Sequence, residues 1–201
     1  MAQYYEKAIK IYKDKNSFSY VAKLHKEMGQ SLSKTNKFES AAKHLNLAGQ
    51  FYESEDQTVT SCNCFFDEAV CRANTKQFLE AAEIFEKVAQ VYVQNKLLRW
   101  SAKDCLFSAF LCRIAIFQNL NISDFLSKYC DIDSNFASTR EYEYSQKLVK
   151  ALNDNDSEKF SDALYEADSK LKLDNWKVSI LVSVREKIGE NVQVQDEDDF
   201  T

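Results

Sequence analysis

The chain has 201 residues with no proline and three glycines (Gly29, Gly49 and Gly189), where average usage would give roughly ten and fourteen. β-Sandwiches and barrels need such turn formers every few positions, so the composition excludes them and reads as all-α. A net charge of −5 and a pI near 5.2 remove the basic footprint of a nucleic-acid binder, and isolated glycines cannot cradle a phosphate.

Apolar periodicity between short polar breaks predicts ten helices. The first covers 2–14, and its start, Met1-Ala-Gln-Tyr-Tyr-Glu-Lys, lacks the apolar segment of a signal peptide. Helices near 17–33, 37–53, 58–74 and 77–93 carry an internal repeat. Phe18-Ser-Tyr-Val-Ala22, Phe38-Glu-Ser-Ala-Ala42 and Phe78-Leu-Glu-Ala-Ala82 each place an aromatic three and four residues before a small pair, with starts 20 and 40 residues apart. That spacing puts a bulky knob and a small groove on one helical face, so the next helix can approach closely. Tyr52 and Tyr92 follow at one distance after the second and third copies. A 40-residue two-helix unit is the cadence of tetratricopeptide-like solenoids.

Further helices follow near 97–118, 122–130, 138–152, 156–170 and 173–190. Ser123-Asp-Phe-Leu and Asn155-Asp-Ser-Glu158 offer side chains that cap a helix start. Apolar runs such as Ser179 to Val184 are too short to span a bilayer. In the last helix Trp176, Ile180, Val184 and Ile188 recur every four residues beside Leu173 and Leu181, the stripe of a helix packed on its predecessor. Gly189 reads as a stop. Beyond it Asp196-Glu-Asp-Asp199 precedes Phe200. The expected architecture is a right-handed tetratricopeptide-like α-α solenoid of antiparallel helix hairpins ending in a small C-terminal helical bundle. One helical repeat domain occupies 1–190, with hairpins over 1–118 and the bundle over 119–190, and a flexible acidic tail covers 191–201.

Cys64 and Cys71, like Cys105 and Cys112, stand seven residues apart, as small core residues recur on one helix face. Cys62 and Cys64 point about 200° apart on a helix and cannot share a metal. The six cysteines read as buried or free thiols in a cytosolic protein. His25 and His44 lie on different helices among lysines, with no carboxylate or cysteine recognisable as a partner, and no catalytic constellation is found. Residues 153–201 carry a net charge of −7 and residues 1–152 about +2. That asymmetry fits two faces for two partners, or solvated surface alone.

Leu97-Leu-Arg-Trp-Ser-Ala-Lys-Asp-Cys-Leu-Phe107, running on to Cys112, resembles the most characteristic helix of the α/β-type soluble NSF attachment proteins (SNAPs). Leu173-Asp-Asn-Trp176, Ala41-Ala-Lys-His44, Tyr12 with Phe18 to His25, and the acidic end with its apolar penultimate residue extend the resemblance over essentially the whole chain. The resemblance implies a non-enzymatic, cofactor-free adaptor. It would lie on a SNARE four-helix bundle, recruit the hexameric AAA+ ATPase NSF, stimulate its hydrolysis, and reach membranes only through SNAREs. Carried over by position, Lys23, Arg99 and Lys103 would face SNAREs, while two further basic positions fall on Asn63 and Asp67. Asp154, Glu158, Asp198, Asp199 and Phe200 would meet the ATPase. Phe117, Lys150 and Asn153 stand where acidic or polar residues are expected, and Phe200 replaces the usual leucine. Family chains extend further at the N-terminal side, where they hold an apolar membrane-contacting loop. The chain therefore reads as a shortened paralogue or an incomplete gene product, without direct membrane attachment through that loop. The alternative is a tetratricopeptide-like scaffold or inhibitory paralogue that binds a partner without stimulating the ATPase.

Overall fold

The computed structural model describes residues 2–116 and 122–198. Among them are ten α-helices, one 3₁₀ turn and no strand. The helices are α1 (Ala2–Asp14), α2 (Phe18–Lys34), α3 (Phe38–Ser54), α4 (Thr58–Asn74), α5 (Phe78–Gln94), α6 (Arg99–Ala115), α7 (Ile122–Ile132), α8 (Arg140–Asn153), α9 (Ser157–Leu171) and α10 (Asn175–Asp198). The 3₁₀ turn, Phe136–Ser138, precedes α8. The chain forms two compact units, 1–91 and 92–201.

In the first unit α2, α3 and α4 are each 17 residues long and begin 20 residues apart. The breaks turn on residues with left-handed backbone at the same interval: Asn16, Asn36, Asp56 and Lys76, with φ between 52° and 62°. Each closes the preceding helix with a pair of crossed hydrogen bonds. Lys37 N donates to Leu32 O and Asn36 N to Ser33 O, both at 3.0 Å, and the same pattern recurs at Gln57 with Asp56 and at Gln77 with Lys76. Asparagine and aspartate tolerate this conformation, so hairpins turn without glycine.

The glycines serve helix approach instead. A Cβ on Gly29 would lie 2.6 Å from Leu45 Cγ, and one on Gly49 would lie 2.5 Å from the Phe65 ring. The small pairs of the repeat are buried: Val21-Ala22, Ala41-Ala42 and Ala81-Ala82. Ser61 and Cys62 take the equivalent place in α4, and Ser61 Oγ donates to Gly49 O at 2.9 Å. Cys64 packs with Ala22, Ala48 and Tyr52, and Cys71 with Ala41, Ala42 and Leu45. Cys62 and Cys64, which point apart on the helix, are both buried, so α4 is covered on two sides.

In the second unit α6 is the central helix. Its residues from Cys105 to Cys112 are buried without interruption, because α8 and α10 pack against it. α6 belongs to the second unit. Ile180, Leu181, Val184 and Ile188 of α10 are buried against α6 as well as α9. Lys177, itself buried, pairs with Asp104 of α6. Lys187 Nζ donates to Ala115 O at 3.0 Å, satisfying a carbonyl at the end of α6. Two starts are capped by side chains: Thr139 accepts from Tyr142 N, and Asp156 from Glu158 N and Lys159 N. α7 begins at Ile122, so Ser123, expected to cap its start, falls inside the helix instead. α10 passes through Gly189, where a stop was expected, and continues to Asp198. No glycine takes the left-handed conformation that a helix stop uses.

Candidate partner-binding surfaces

Arg99, Trp100 and Lys103 fall at positions i, i+1 and i+4 in the first turns of α6, and Lys96 stands in the turn just before it. Opposite them stand Asn135, Ser138, Thr139 and Arg140, from the 3₁₀ turn and the first residues of α8. Together with Asp133 they line a groove of about 640 Å³. Two helix N-termini open beside it, and their dipoles add positive potential to four basic side chains.

Buried acids hold two of the cations in place. Arg99 Nη2 donates to Asp133 Oδ1 at 3.1 Å, and the same oxygen accepts from Asn135 N at 3.1 Å. Lys103 Nζ lies 2.9 Å from Glu141 Oε1. Asp133 and Glu141 are buried, while Arg99 and Lys103 remain half-exposed. Each pair thus fixes the direction of a cation that still reaches solvent. Lys96 and Arg140 have no ion pair among the described residues.

Lys23 lies in the first unit, exposed on α2. Asn63 and Asp67 are on α4, the next helix but one. Burial raises the Asp67 carboxyl above its usual range, against a hydrogen bond from Gln30 and the charge of Lys26, both on α2. At this position the local cations of α2 meet a carboxylate rather than another base.

The positions matched to the ATPase side divide between two recesses in the second unit. Lys150, Asn153 and Asp154 line one of about 390 Å³ with Tyr142, Gln146 and Leu126. Glu158 lines another of about 310 Å³ with Ser157, Ser161, Arg185 and Glu186. Asp154 Oδ2 is 3.4 Å from Lys159 Nζ, which also pairs with Asp156 at 3.0 Å. Asp198 is the last residue of α10. Asp199 and Phe200, like Phe117, lie outside the described residues.

The two histidines, unpartnered in the sequence reading, meet each other. His25 Nδ1 and His44 Nδ1 are 3.0 Å apart across α2 and α3, and the His25 ring stacks on Phe51 at 6.0 Å. Burial first, then His44 and Lys13, lower the His25 pKa to about 4. Burial also lowers His44, opposed by Glu6. The six cysteines are free thiols. Burial pushes Cys64 up to about 11 and Cys112 to about 12, which holds both as unreactive thiols. Among the described residues no group of three or more His, Cys, Asp or Glu could hold a metal ion, and no helix is long and apolar enough to cross a membrane.

Sequence reasoning missed Asp133, Glu141, Lys96 and Arg140. Asp133 and Glu141 stand 34 and 38 residues from the cations that they position, a distance over which periodicity carries no signal. Trp100 was visible in the quoted segment, but only the structure shows it standing 83% exposed.

A sequence model of the family described as soluble NSF attachment protein, SNAP, matches residues 1–189. The chain is 31% identical to an alpha-soluble NSF attachment protein of Vitis vinifera, with 98% of this chain and 67% of the relative covered. It is 32% identical to one of Saccharomyces cerevisiae, covering 96% of this chain and 65% of the relative. Identity to a vesicular-fusion protein of Komagataella phaffii is 35%, over 77% of this chain and 52% of the relative. The chain thus spans between half and two thirds of the length of these relatives.

Proposed function

The chain belongs to the soluble NSF attachment protein family, and from that premise we propose that it is an adaptor that binds assembled SNARE four-helix bundles and recruits the NSF hexamer. By stimulating ATP hydrolysis it would promote disassembly of the bundle in vesicle fusion and intracellular transport. The observation that carries this reading is the α6–α8 groove, in which Arg99 and Lys103 are aimed by buried carboxylates. A bundle surface rich in carboxylates is its electrostatic complement. Half-exposed cations steer such an encounter and let go quickly, as a cycling adaptor requires. Lys23 supplies a further cation from the first unit. Asp154, Glu158, Asp198, Asp199 and Phe200 form the proposed contact with basic surface on the ATPase, and membranes are reached through SNAREs.

One observation favours a second reading. Lys150 and Asn153 share a recess with Asp154, where an adaptor's acidic contact would be weakened by the lysine charge. A chain of this kind would bind SNAREs without stimulating the ATPase.

The test is binding of the purified protein to a preformed soluble SNARE bundle at low and moderate salt, with NSF capture and ATP hydrolysis read in the same samples. The adaptor reading expects salt-sensitive binding, capture and faster hydrolysis. Replacing both Arg99 and Lys103 by alanine should weaken SNARE binding about tenfold or more and flatten its salt dependence. Binding without faster hydrolysis would select the inhibitory reading, and no binding to either partner would sink both.

A further inference from the structure

His25 is 5% exposed and His44 half-buried, and their Nδ1 atoms meet at 3.0 Å where α2 packs on α3. His25 Nε2 is buried without a hydrogen-bond partner. That orphan decides how the pair shares its protons. Were His25 to accept at Nδ1, its own proton would sit on Nε2, a buried donor with nothing to meet. The favoured arrangement is His25 Nδ1–H donating to a bare His44 Nδ1, with the second proton on Nε2 of His44, the more exposed ring. A proton added at His44 Nδ1 then sets two N–H groups against each other. One added at His25 Nε2 puts a charged, unpartnered donor into the interior.

Three helices meet at this point. Phe51 of α3 stacks on His25 at 6.0 Å, and Lys13 Nζ of α1 lies 5.3 Å from the centroid of the same Phe51 ring. Lys13 of α1 and His44 of α3 oppose charge on His25, while Glu6 of α1 favours charge on His44. α1 is the most lightly held of the three. Ile9 alone among its described side chains is buried, packed with Val21 and Met28, whereas α2 and α3 also share the sealed cluster of Ala22, Ala48 and Tyr52 with Cys64 of α4.

We propose that the His25–His44 pair is a proton-operated latch: in mild acid both rings take up charge, α1 comes off α2 and α3, and the apolar face beneath it is uncovered. Departure of α1 takes Lys13 away from His25 and lets water reach both rings, so it relieves each of these costs together. The uncovered face consists of Val21, Leu24, Met28 and Phe51. Apolar surface on the first unit thus becomes a function of pH, through a ring pair whose charge the packing controls. The latch lies wholly within α1, α2 and α3 and does not depend on the adaptor reading.

The experiment follows amide hydrogen exchange of the full chain at pH 7.5 and pH 5, corrected for the intrinsic pH dependence of exchange, with emission of an apolar-surface dye in parallel. The open form takes a proton on His25 near pH 6.5 and the closed form only at about pH 4, which raises the open population by up to about thirtyfold at pH 5. Amides of α1 should lose about tenfold or more in protection, while those of α3 and α4 stay within about threefold. Dye emission should rise with the loss, and His25→Gln should abolish both changes. Glu6 and Lys13 are exposed, so Glu6→Gln and Lys13→Gln should fold. Without Glu6 the opening should move to higher pH, and without Lys13 to lower pH.

Unchanged protection of α1 at pH 5, or equal loss from α1, α3 and α4, would overturn the proposal, as would the same loss in His25→Gln. If His25→Gln does not fold, the two exposed variants decide the matter. Shifts in opposite directions support the latch, and parallel or absent shifts refute it.

Discussion

His25 and His44 show how much the charge state of a residue depends on packing. Of the two ring nitrogens 3.0 Å apart, one donates only where the other is unprotonated. Protonating both rings would bring two positive charges together in a buried place already facing Lys13, with Glu6 acting in the opposite sense on His44. The unfolded chain accepts a proton on His25 near pH 6.5, and the fold refuses it until about pH 4. The folded state therefore binds fewer protons in that window, and stability falls as pH drops from about 6.5 towards 4. The full effect is at most about 3 kcal/mol, less whatever water screens. Thermal melts between pH 7.5 and 4.5 should show this decline, and His25→Gln should flatten it. Parallel curves for both proteins would rule the pair out as its origin. Nothing in the lysine-rich segments around either histidine announced the pairing, because the two rings are 19 residues apart and meet only when α2 packs on α3.

At the scale of the element, the repeat is a matter of turns as much as of helices. Each first-unit break uses one left-handed residue to close a helix and reverse the chain, and three of the four are Asn or Asp. Lys76 is the exception. A lysine there has no short side chain to stabilise the conformation, which costs roughly 1–2 kcal/mol for an ordinary L-residue. Lys76→Asn should therefore stabilise the protein by about 1 kcal/mol, seen as a rise of about 2–4 °C in melting temperature for a chain of this size. An unchanged or lower melting temperature would show that the crossed hydrogen bonds already compensate fully. Capping was legible at Asp156, within the Asn155-Asp-Ser-Glu158 segment, but not at Thr139. Ser17, Lys37 and Gln57, which precede α2, α3 and α4, make no side-chain cap hydrogen bond. The intervals of Phe18, Phe38 and Phe78 set the period. Their rings are only half-buried, while the small pairs behind them are sealed.

At the scale of the whole molecule, charge is unevenly distributed. The groove bases lie at one end of α6, and the chain's last residues form an acidic run before Phe200. If the end of the chain serves the ATPase and the groove serves SNAREs, the two activities should come apart. Deleting Phe200 and Thr201 should leave SNARE binding within about twofold, since no groove residue is touched. The same deletion should lower stimulation of NSF hydrolysis about tenfold, on the scale of one lost apolar anchor. Equal loss in both assays, or none in either, would count against a division of labour.

The amino-acid sequence by itself determined the all-helical class, ten helices to within a few residues except at the end of α10, the 20-residue cadence and the family. These are carried by local pattern: turn residues at fixed intervals, small pairs after an aromatic, and apolar residues recurring with the helical period. Only the tertiary structure decided that His25 meets His44, that Asp133 and Glu141 aim Arg99 and Lys103, and that α6 serves as the core of the second unit. Each of these brings together residues from different helices. Burial, rather than spacing along the chain, selects the partners there, because a buried charge or ring nitrogen must find its complement wherever packing supplies one.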